Sequence, residues 1–415
     1  MSLIDPKMPY KNDLWYTSPW NFDENNKKLF HFADNIQIHD VTLRDGEQQN
    51  GVVFDVKQKV KLAEKMAEIG IHRIEAGFAA VTPQDEEAIR EICKHNFGPK
   101  IFTFARCMIQ DLDLVKDMGC DGVCLEIPAN EELIKYGYKW DTQKAIDNAI
   151  KASLYAHEIG LFSCLFCLDS SRADWSYLTK FIDAIYKDGY FDSIACVDTV
   201  GALNPLGSYA MVQAMKSRYP DKIIEFHAHD DFCTGSANTV MALAAGAQVA
   251  HTSLAGIGER AGNVSFEEVV MQLLLTYGVE LDIKYNKLYD LARLTLDMAG
   301  YDVRPNKGIF GTDISKLETG LAAGWLENLK KEGKSPLLMI PYLYKLTGHP
   351  DTTYSLGKHS GAPSVQFYLN QMGYKDVDKE TVGVILKSVK EKAYEIKNVL
   401  TLEQFQELVE KALKK

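Results

Sequence analysis

The sequence predicts an α/β protein: a (β/α)8 TIM barrel followed by a C-terminal helical appendage. From residue 36, short apolar runs alternate with amphipathic stretches, and eight such strand–helix units span about 240 residues. The apolar runs are continuous, as is typical of parallel strands covered by helices. A doubly wound open sheet is the alternative, but it seldom runs to eight uninterrupted units. We expect three segments: an N-terminal arm over 1–35, the catalytic barrel over 36–280 and helical subdomains over 281–415.

The individual elements follow from this alternation. Strands are predicted at 36–43, 72–78, 101–107, 122–127, 160–168, 193–199, 223–229 and 248–256. Helices are predicted after them at 56–69, 83–95, 110–118, 142–159, 174–188, 205–218, 234–246 and 265–277. Beyond residue 280 the strand signal stops, and helices are predicted at 286–299, 316–331, 337–346, 363–372, 379–394 and 402–413. In the arm, Trp15, Trp20 and Phe22 are expected to pack against the body because aromatic rings are costly to leave in water.

Composition excludes several classes of protein. The chain has 415 residues, of which 46% are hydrophobic and 25% charged, and its net charge is −11. That charge argues against a nucleic-acid partner, and no apolar run approaches the ~18–20 residues of a membrane span. The N-terminus carries no basic-then-apolar signal, and the eight cysteines are scattered. We therefore expect a cytoplasmic protein with reduced thiols.

Polar side chains end four of the predicted strands, where a barrel of this kind places its chemistry. His227 and His229 in strand 7 project to the same side, because side chains alternate along a strand, so both imidazoles can bind one metal ion. Asp45, near the end of strand 1, is the natural third ligand of such a site. Asn263, in the Gly-rich loop after strand 8, could add its amide oxygen. We expect His251 in strand 8 to be structural.

Arg44, adjacent to Asp45, offers a fixed positive fork. Such a group can hold a carboxylate or stabilise an enolate oxygen. The alternative is a structural ion pair with Glu47 or Glu75.

Two further sets of residues have structural alternatives. Cys164 and Cys167 have the spacing of a redox or zinc motif, but residues three apart in a strand face opposite sides and no second such pair exists. We therefore expect structural thiols. Arg106 and Glu126 could bind a polar substrate tail, with ion pairing at the strand ends as the alternative.

These motifs together resemble one family. TLRDGEQ (42–48), DTVG (198–201), HAHD (227–230) and GIGERAGN (256–263) are similar to the DRE-TIM metallolyase superfamily of HMG-CoA lyase-like barrels. GKHSG (357–361) resembles a segment of its 2-isopropylmalate, homocitrate and citramalate synthases. Hydroxymethylglutaryl-CoA lyases of the same superfamily carry a cysteine in the loop after strand 8. The absence of one here favours the synthase branch.

The resemblance implies an acyltransferase that condenses an acyl-CoA, such as acetyl-CoA, with a 2-oxo acid to give a 2-hydroxy dicarboxylic or tricarboxylic acid. It also implies a divalent cation (Mg2+, Mn2+ or Zn2+) and a homodimer in which the C-terminal helices of one chain cover the partner's site. The implied site residues are the metal ligands Asp45, His227, His229 and Asn263 and the substrate-binding residues Arg44, Gln48 and Thr199. Arg44 would stabilise the carbonyl oxygen as it gains negative charge, and Thr199 would hold the carboxylate of the 2-oxo acid.

The sequence departs from the synthase pattern at four places. The HESGIH segment, with its catalytic histidine, is replaced by LETGLA at 317–322, and a strand-5 glutamate is replaced by Leu168. The Gly-x-Pro of strand 2 becomes GFA at 77–79, and the segment 127–139 lacks the strand-4 histidine. Either another group then deprotonates the acyl-CoA, or the reaction is not the usual one of the family. Candidates are the catalytic residues Glu318 and His359, with Asp169, Tyr342 and Tyr344 as alternatives.

Two other functions compete with the synthase. The missing histidine favours an aldolase, lyase or carboxyltransferase acting on a 2-oxo or 2-hydroxy acid. A non-catalytic metal-binding scaffold or sensor is the third hypothesis, but a scaffold has no need of an open metal position.

Overall fold

The structure is a computed structural model that describes residues 2–414. The chain divides into two units. The first consists of residues 2–10 and 18–303, and the second consists of residues 11–17 and 304–414. The proposed division into arm, barrel and appendage at residues 35 and 280 stays a prediction.

The first unit is built on a closed barrel of parallel strands in chain order, with the last strand paired to the first. The predicted (β/α)8 barrel is therefore confirmed. Its strands are β1 Gln37–Asp40, β2 Arg73–Glu75, β3 Lys100–Arg106, β4 Gly122–Pro128, β5 Phe162–Leu168, β6 Ser193–Asp198, β7 Ile223–Ala228 and β8 Val249–Thr252.

Helices follow each strand and cover the barrel. They are α1 Val56–Ile69, α2 Pro83–His95, α3 Ile109–Asp117, α4 Thr142–Glu158, α5 Trp175–Asp188, α6 Pro205–Arg218, α7 Gly235–Ala244, α8 Phe266–Gln272 and α9 Leu288–Ala299. Local sequence sets their starts. Asp55 and Gln58 form a reciprocal capping box at the start of α1, and Asn204 caps α6 just before Pro205. None of the helices within residues 2–414 is both long and apolar enough to cross a bilayer.

The first strand is shorter than the apolar run that predicts it. Asp40 ends β1, since its carboxylate accepts a hydrogen bond of 2.9 Å from the Thr42 backbone N–H and so turns the chain. The carbonyl of Val41 then accepts from the N–H groups of Arg44 and Gly46. This tight turn places Arg44 and Asp45 at the carboxyl end of the barrel.

The barrel interior contains a buried ionic layer of five residues: His39, Arg73, Glu75, Glu225 and His251. Arg73 Nη1 lies 2.9 Å from Glu225 Oε1, and His251 Nε2 lies 2.8 Å from Glu225 Oε2. On the other side, His39 Nε2 lies 3.1 Å from Glu75 Oε2. The two imidazoles stack at 4.3 Å and join these two groups of residues. His251 is thus paired with Glu225 inside the barrel, and its structural role stays a prediction.

The second unit contains a two-stranded parallel sheet of β9 Lys316–Leu317 and β10 Thr353–Tyr354, which the sequence analysis does not predict. Its helices are α10 Gly320–Lys331, α11 Ala362–Gln371, α12 Lys379–Ile396 and α13 Leu402–Leu413. Val365, Ile385 and Phe405 are among the residues of its main apolar core.

Two expectations about these segments are wrong. The helix predicted at 337–346 is two short 3-10 turns, because Pro341 lacks an N–H and its ring excludes a helical predecessor. Of the arm's aromatic residues, Trp15 is fully buried, with its neighbour Tyr16 donating its N–H to the Pro341 carbonyl, but Trp20 is 77% exposed.

The ionic layer leads to a stability prediction. Glu225→Ala leaves the charge of Arg73 and the imidazole of His251 without their shared carboxylate, so we expect the free energy of unfolding to fall by about 3–5 kcal/mol. Urea unfolding followed by circular dichroism measures this. Glu225→Gln keeps an acceptor and should lose less. Glu64→Ala, which removes an exposed pair on α1, should have no comparable effect. An unchanged Glu225→Ala midpoint would contradict a stabilising ionic layer.

Candidate metal centre and active site

Three predicted metal ligands meet at the carboxyl end of the barrel. His227 lies in β7, and His229 is the first residue after the end of that strand. The Oδ2 atom of Asp45 lies 3.2 Å from His227 Nε2 and 3.7 Å from His229 Nε2. All three side chains are buried, and their ligand atoms lie within 4.8 Å of one another. Two imidazoles and one carboxylate make a donor set that divalent metals accept.

The protonation states of the site suit a cation. Burial lowers the pKa of His227 to about 3, so its imidazole is neutral near pH 7. Burial alone would raise the pKa of Asp45, but the Arg44 charge and the hydrogen bond from His227 bring it well below its usual range. A neutral imidazole and an ionised carboxylate are the forms that bind a metal.

Asn263 supplies a further oxygen beside these residues. Its backbone pairs with that of His229, and its Nδ2 donates to the Ile257 carbonyl at 3.3 Å. Among the described residues, its Oδ1 is buried without a hydrogen-bond partner. Gly258 permits this arrangement, since a Cβ at that position would lie 2.3 Å from Asn263 Nδ2. The orphaned amide oxygen fits a fourth ligand for a divalent cation.

Arg44 is held on three sides. Its Nε donates to Glu75, its Nη1 lies 3.2 Å from Asp45 Oδ2, and its Cζ lies 4.2 Å from the centre of the Phe104 ring. The Nη2 atom is buried with no partner in the described chain. Although burial favours protonation of Glu75, Arg44 and His39 lower the pKa of that carboxyl to about 2. The ion pair with Glu75 therefore coexists with a donor, Nη2, that has no partner among the described residues.

The other predicted partner of Arg44 is bound elsewhere. Glu47 Oε2 lies 2.5 Å from Lys59 Nζ, and Lys59 also contacts Asp85. Beside Arg44 opens a cavity of about 750 Å3, which Gln48 also lines.

The remaining predicted residues of the barrel mouth are tied to neighbours. The Thr199 hydroxyl accepts from the Asp169 backbone N–H at 2.8 Å, which leaves its own proton free to be donated. Arg106 forms a two-pronged pair with Asp111 at 2.9 and 2.8 Å, and the Glu126 carboxylate accepts from Tyr138. Ion pairing, the structural alternative for Arg106, is therefore present. Cys164 and Cys167 are buried free thiols.

The candidate bases Glu318 and His359 lie together in the second unit. The backbone N–H of His359 donates to Glu318 Oε1 at 3.0 Å. The imidazole of His359 is exposed, and the Glu318 carboxylate is half-buried. Their catalytic role stays a prediction. Of the alternatives, Asp169 pairs with Arg172, and the Tyr344 hydroxyl donates to the Ile314 carbonyl.

Sequence reasoning missed how Arg44 is supported. The sequence predicts Glu75 only as an alternative ion partner of Arg44, and it predicts no role for His39 or Phe104. An ionisable residue inside each short apolar run, at His39 and at Glu75, was the available signal. Its meaning depends on the barrel register, which pairs His39 of β1 with Arg73 of β2 and so brings Glu75 close to Arg44.

Comparison with known proteins gives these residues a family. The HMGL-like family signature matches residues 35–295, which is more than half of the chain. The chain belongs to the HMGL-like (DRE-TIM) family. A homocitrate synthase of Methanothermobacter thermautotrophicus is 32% identical over 376 residues, covering 91% of this chain and 93% of that relative.

Other members of the HMGL-like family match to a similar degree. A 2-isopropylmalate synthase of Methanocaldococcus jannaschii is 33% identical, covering 87% of this chain and 68% of the relative. An (R)-citramalate synthase of the same organism is 34% identical, covering 86% and 70%. The chain is an enzyme of this synthase type, as the sequence predicts.

Solved structures of HMGL-like proteins share the fold. The HMG-CoA lyase of Bacillus subtilis has a TM-score of 0.59 at 21% identity and covers 66% of this chain and 96% of that chain. The HMG-CoA lyase of Brucella melitensis has a TM-score of 0.57 at 20% identity, covering 65% and 100%. At these identities the likeness concerns the barrel alone.

The geometry leads to a metal-binding prediction. His229→Ala removes one of the imidazoles around Asp45, so Mn2+ affinity should fall by at least about 100-fold, since even partners outside the ligand sphere change affinity 10–100-fold. Titration followed by electron paramagnetic resonance measures free Mn2+ directly. The matched control is His157→Ala, an exposed histidine on α4. Unchanged affinity in His229→Ala would place the metal elsewhere.

Proposed function

We propose that this chain is a divalent-metal-dependent synthase that condenses an acyl-CoA, acetyl-CoA first, with a 2-oxo acid and hydrolyses the thioester. The observation that carries the proposal is the convergence of Asp45, His227 and His229 beside the unpartnered Nη2 of Arg44. The synthase names of the relatives point to the same reaction. Asp45, His227, His229 and Asn263 would hold the metal. When bound, a divalent cation supplies Lewis-acid polarisation of the 2-oxo acid and a template for its orientation.

Arg44 acts on the oxygen of the acceptor carbonyl. Its Nε and Nη1 are engaged by Glu75 and Asp45, so the guanidinium is fixed before substrate binds and Nη2 donates as negative charge develops. Preorganised donors of this kind favour the transition state because no reorientation is needed during the reaction.

Substrate binding and proton transfer fall to other groups. The Thr199 hydroxyl donates a hydrogen bond to the carboxylate of the 2-oxo acid, and Gln48 binds from the side of the cavity. Glu318 and His359 are our candidates for the base that removes a proton from the acyl-CoA methyl group. The His359 N–H holds the Glu318 carboxylate in one orientation, which suits a positioned base.

We propose in addition a homodimer in which the C-terminal helices of one chain cover the partner's site. An exposed apolar face on α10, with Leu321 66% and Trp325 54% exposed, supports a partner surface in the second unit.

The decisive experiment is thiol release from acetyl-CoA by Mn2+-loaded protein, run against a panel of 2-oxo acids. We expect release that depends on one class of oxo acid and is lost in Asp45→Ala, since that variant lacks the central carboxylate of the metal centre. No release with any acid, together with cleavage of a 2-hydroxy acid, would instead establish the lyase alternative. Metal binding with neither reaction would support the scaffold.

The role of Arg44 is tested by Arg44→Lys. Lysine keeps the charge, but its N–H donors all lie on one nitrogen. It therefore cannot contact Glu75 and Asp45 and also reach the substrate, as the three nitrogens of the guanidinium do. We expect kcat to fall by about 10²–10³-fold, as for other lost oxyanion donors. Mn2+ affinity should stay within a few-fold of wild type. Steady-state kinetics and Mn2+ titration separate the two effects, and full activity in Arg44→Lys would exclude the donor role.

A further inference from the structure

One wall of the proposed site is made of aromatic and aliphatic side chains. Phe104 in β3 packs under the Arg44 guanidinium, and Phe166 in β5 contacts His227 with ring centres 5.0 Å apart. The two phenylalanine rings are 5.3 Å apart, in edge-to-face contact. The apolar wall therefore borders both the metal centre and the carbonyl-binding arginine.

The apolar wall continues toward the open end of the barrel. The ring centres of Phe78 and Phe104 are 5.7 Å apart, and Leu168 at the end of β5 packs on the same group of apolar side chains. Both side chains are only partly buried, and Phe78 lines the cavity beside Arg44. A substrate held at the metal centre would place its substituent against these two residues.

Arginines around the barrel mouth are already neutralised by the chain itself. Arg106 pairs with Asp111, and Arg172 pairs with Asp169. Arg260 pairs with Asp231 and Glu259 and also donates to the Thr199 carbonyl. Lys135 and Lys139, after β4, are exposed to solvent.

We infer that the substituent of the 2-oxo acid is small and apolar, and that Phe78 and Leu168 select it; this inference rests on the proposed function. The cation beside Phe78, Arg106 with its Cζ 5.9 Å from the centre of that ring, is already paired with Asp111. A second carboxylate against the wall would therefore lose its water without gaining an unpaired cation, which is strongly unfavourable. A methyl or ethyl group would replace water on apolar surface that is already formed. The wall thus excludes dicarboxylic 2-oxo acids.

The first test compares kcat/KM for thiol release with pyruvate and 2-oxobutyrate against oxaloacetate and 2-oxoglutarate. We expect the monocarboxylic acids to be better by at least about 100-fold, since an apolar pocket already rejects a single added hydroxyl by about 100-fold and a carboxylate is costlier to bury. Equal values, or a preference for a dicarboxylic acid, would overturn the inference.

Leu168→Ala tests where the substituent lies. Shortening this side chain opens the wall next to Phe166, so the ratio of kcat/KM for 2-oxoisovalerate to that for pyruvate should rise by about 10-fold. Leu154→Ala, a matched change on the outer surface of α4, should leave the ratio unaltered. A ratio that does not move in Leu168→Ala removes Leu168 from the selecting wall.

Equilibrium binding separates this inference from the proposed reaction. Isothermal titration calorimetry of the same acids with Mn2+-loaded protein needs no turnover. Tighter binding of pyruvate and 2-oxobutyrate without thiol release would support the apolar wall and refute the synthase reaction. Thiol release with tighter binding of 2-oxoglutarate would do the reverse, and binding of no acid would overturn both.

Discussion

Arg44 lies between two buried carboxylates, and its charge keeps both of them ionised. Asp45 is central to the candidate metal cluster, and Glu75 is fully buried, so each would favour its protonated form without a cation nearby. Glu75 is in turn held by His39, so the support of the site continues into the ionic layer. The fit of the cluster to a divalent metal therefore depends on an arginine that is not among its ligands.

The polar residues of the ionic layer are buried inside the barrel, and each of them has a definite partner. His39 and Glu75 belong to the Arg44 side of the ionic layer, while His251 and Glu225 belong to the Arg73 side. The stacked imidazoles link the two sides without an ion pair between them. Burial lowers the pKa of His39 to about 4, so it is neutral near pH 7 and can serve as a donor to Glu75 without adding a charge. Such a layer keeps a site rigid, because the movement of any one group would leave a buried neighbour without its partner, and an unpaired buried polar group is costly.

Much of the fold could be predicted from periodicity, because the strands of a parallel barrel appear in the sequence as continuous apolar runs between amphipathic helices. The prediction of a helix at 337–346 was wrong because Pro341 lies inside an otherwise apolar stretch. The hydrogen bond from Tyr16 to Pro341 could not be predicted, since the two residues are far apart in sequence. For the site, His227 and His229 were predictable because strand alternation is a local rule. The support of Arg44 by Glu75 and Phe104 was not, since it depends on which strands become neighbours and how their registers align.

The order of strands around the barrel divides its mouth into two arcs. The candidate metal ligands and Arg44, with its polar partners Glu75 and His39, come from β1, β2, β7 and the loops after β1, β7 and β8, which are contiguous in the closed sheet. Phe104, Phe166 and Leu168 of the apolar wall come from β3 and β5 on the other arc, and Phe78 follows β2 where the two arcs meet. Most groups of the proposed reaction chemistry and most groups of the proposed substrate fit thus come from different strands of the barrel. Substitutions in one arc can change which acid is accepted while the other arc is inherited unaltered, a modularity that lets one ancestral barrel give rise to enzymes with different substrates.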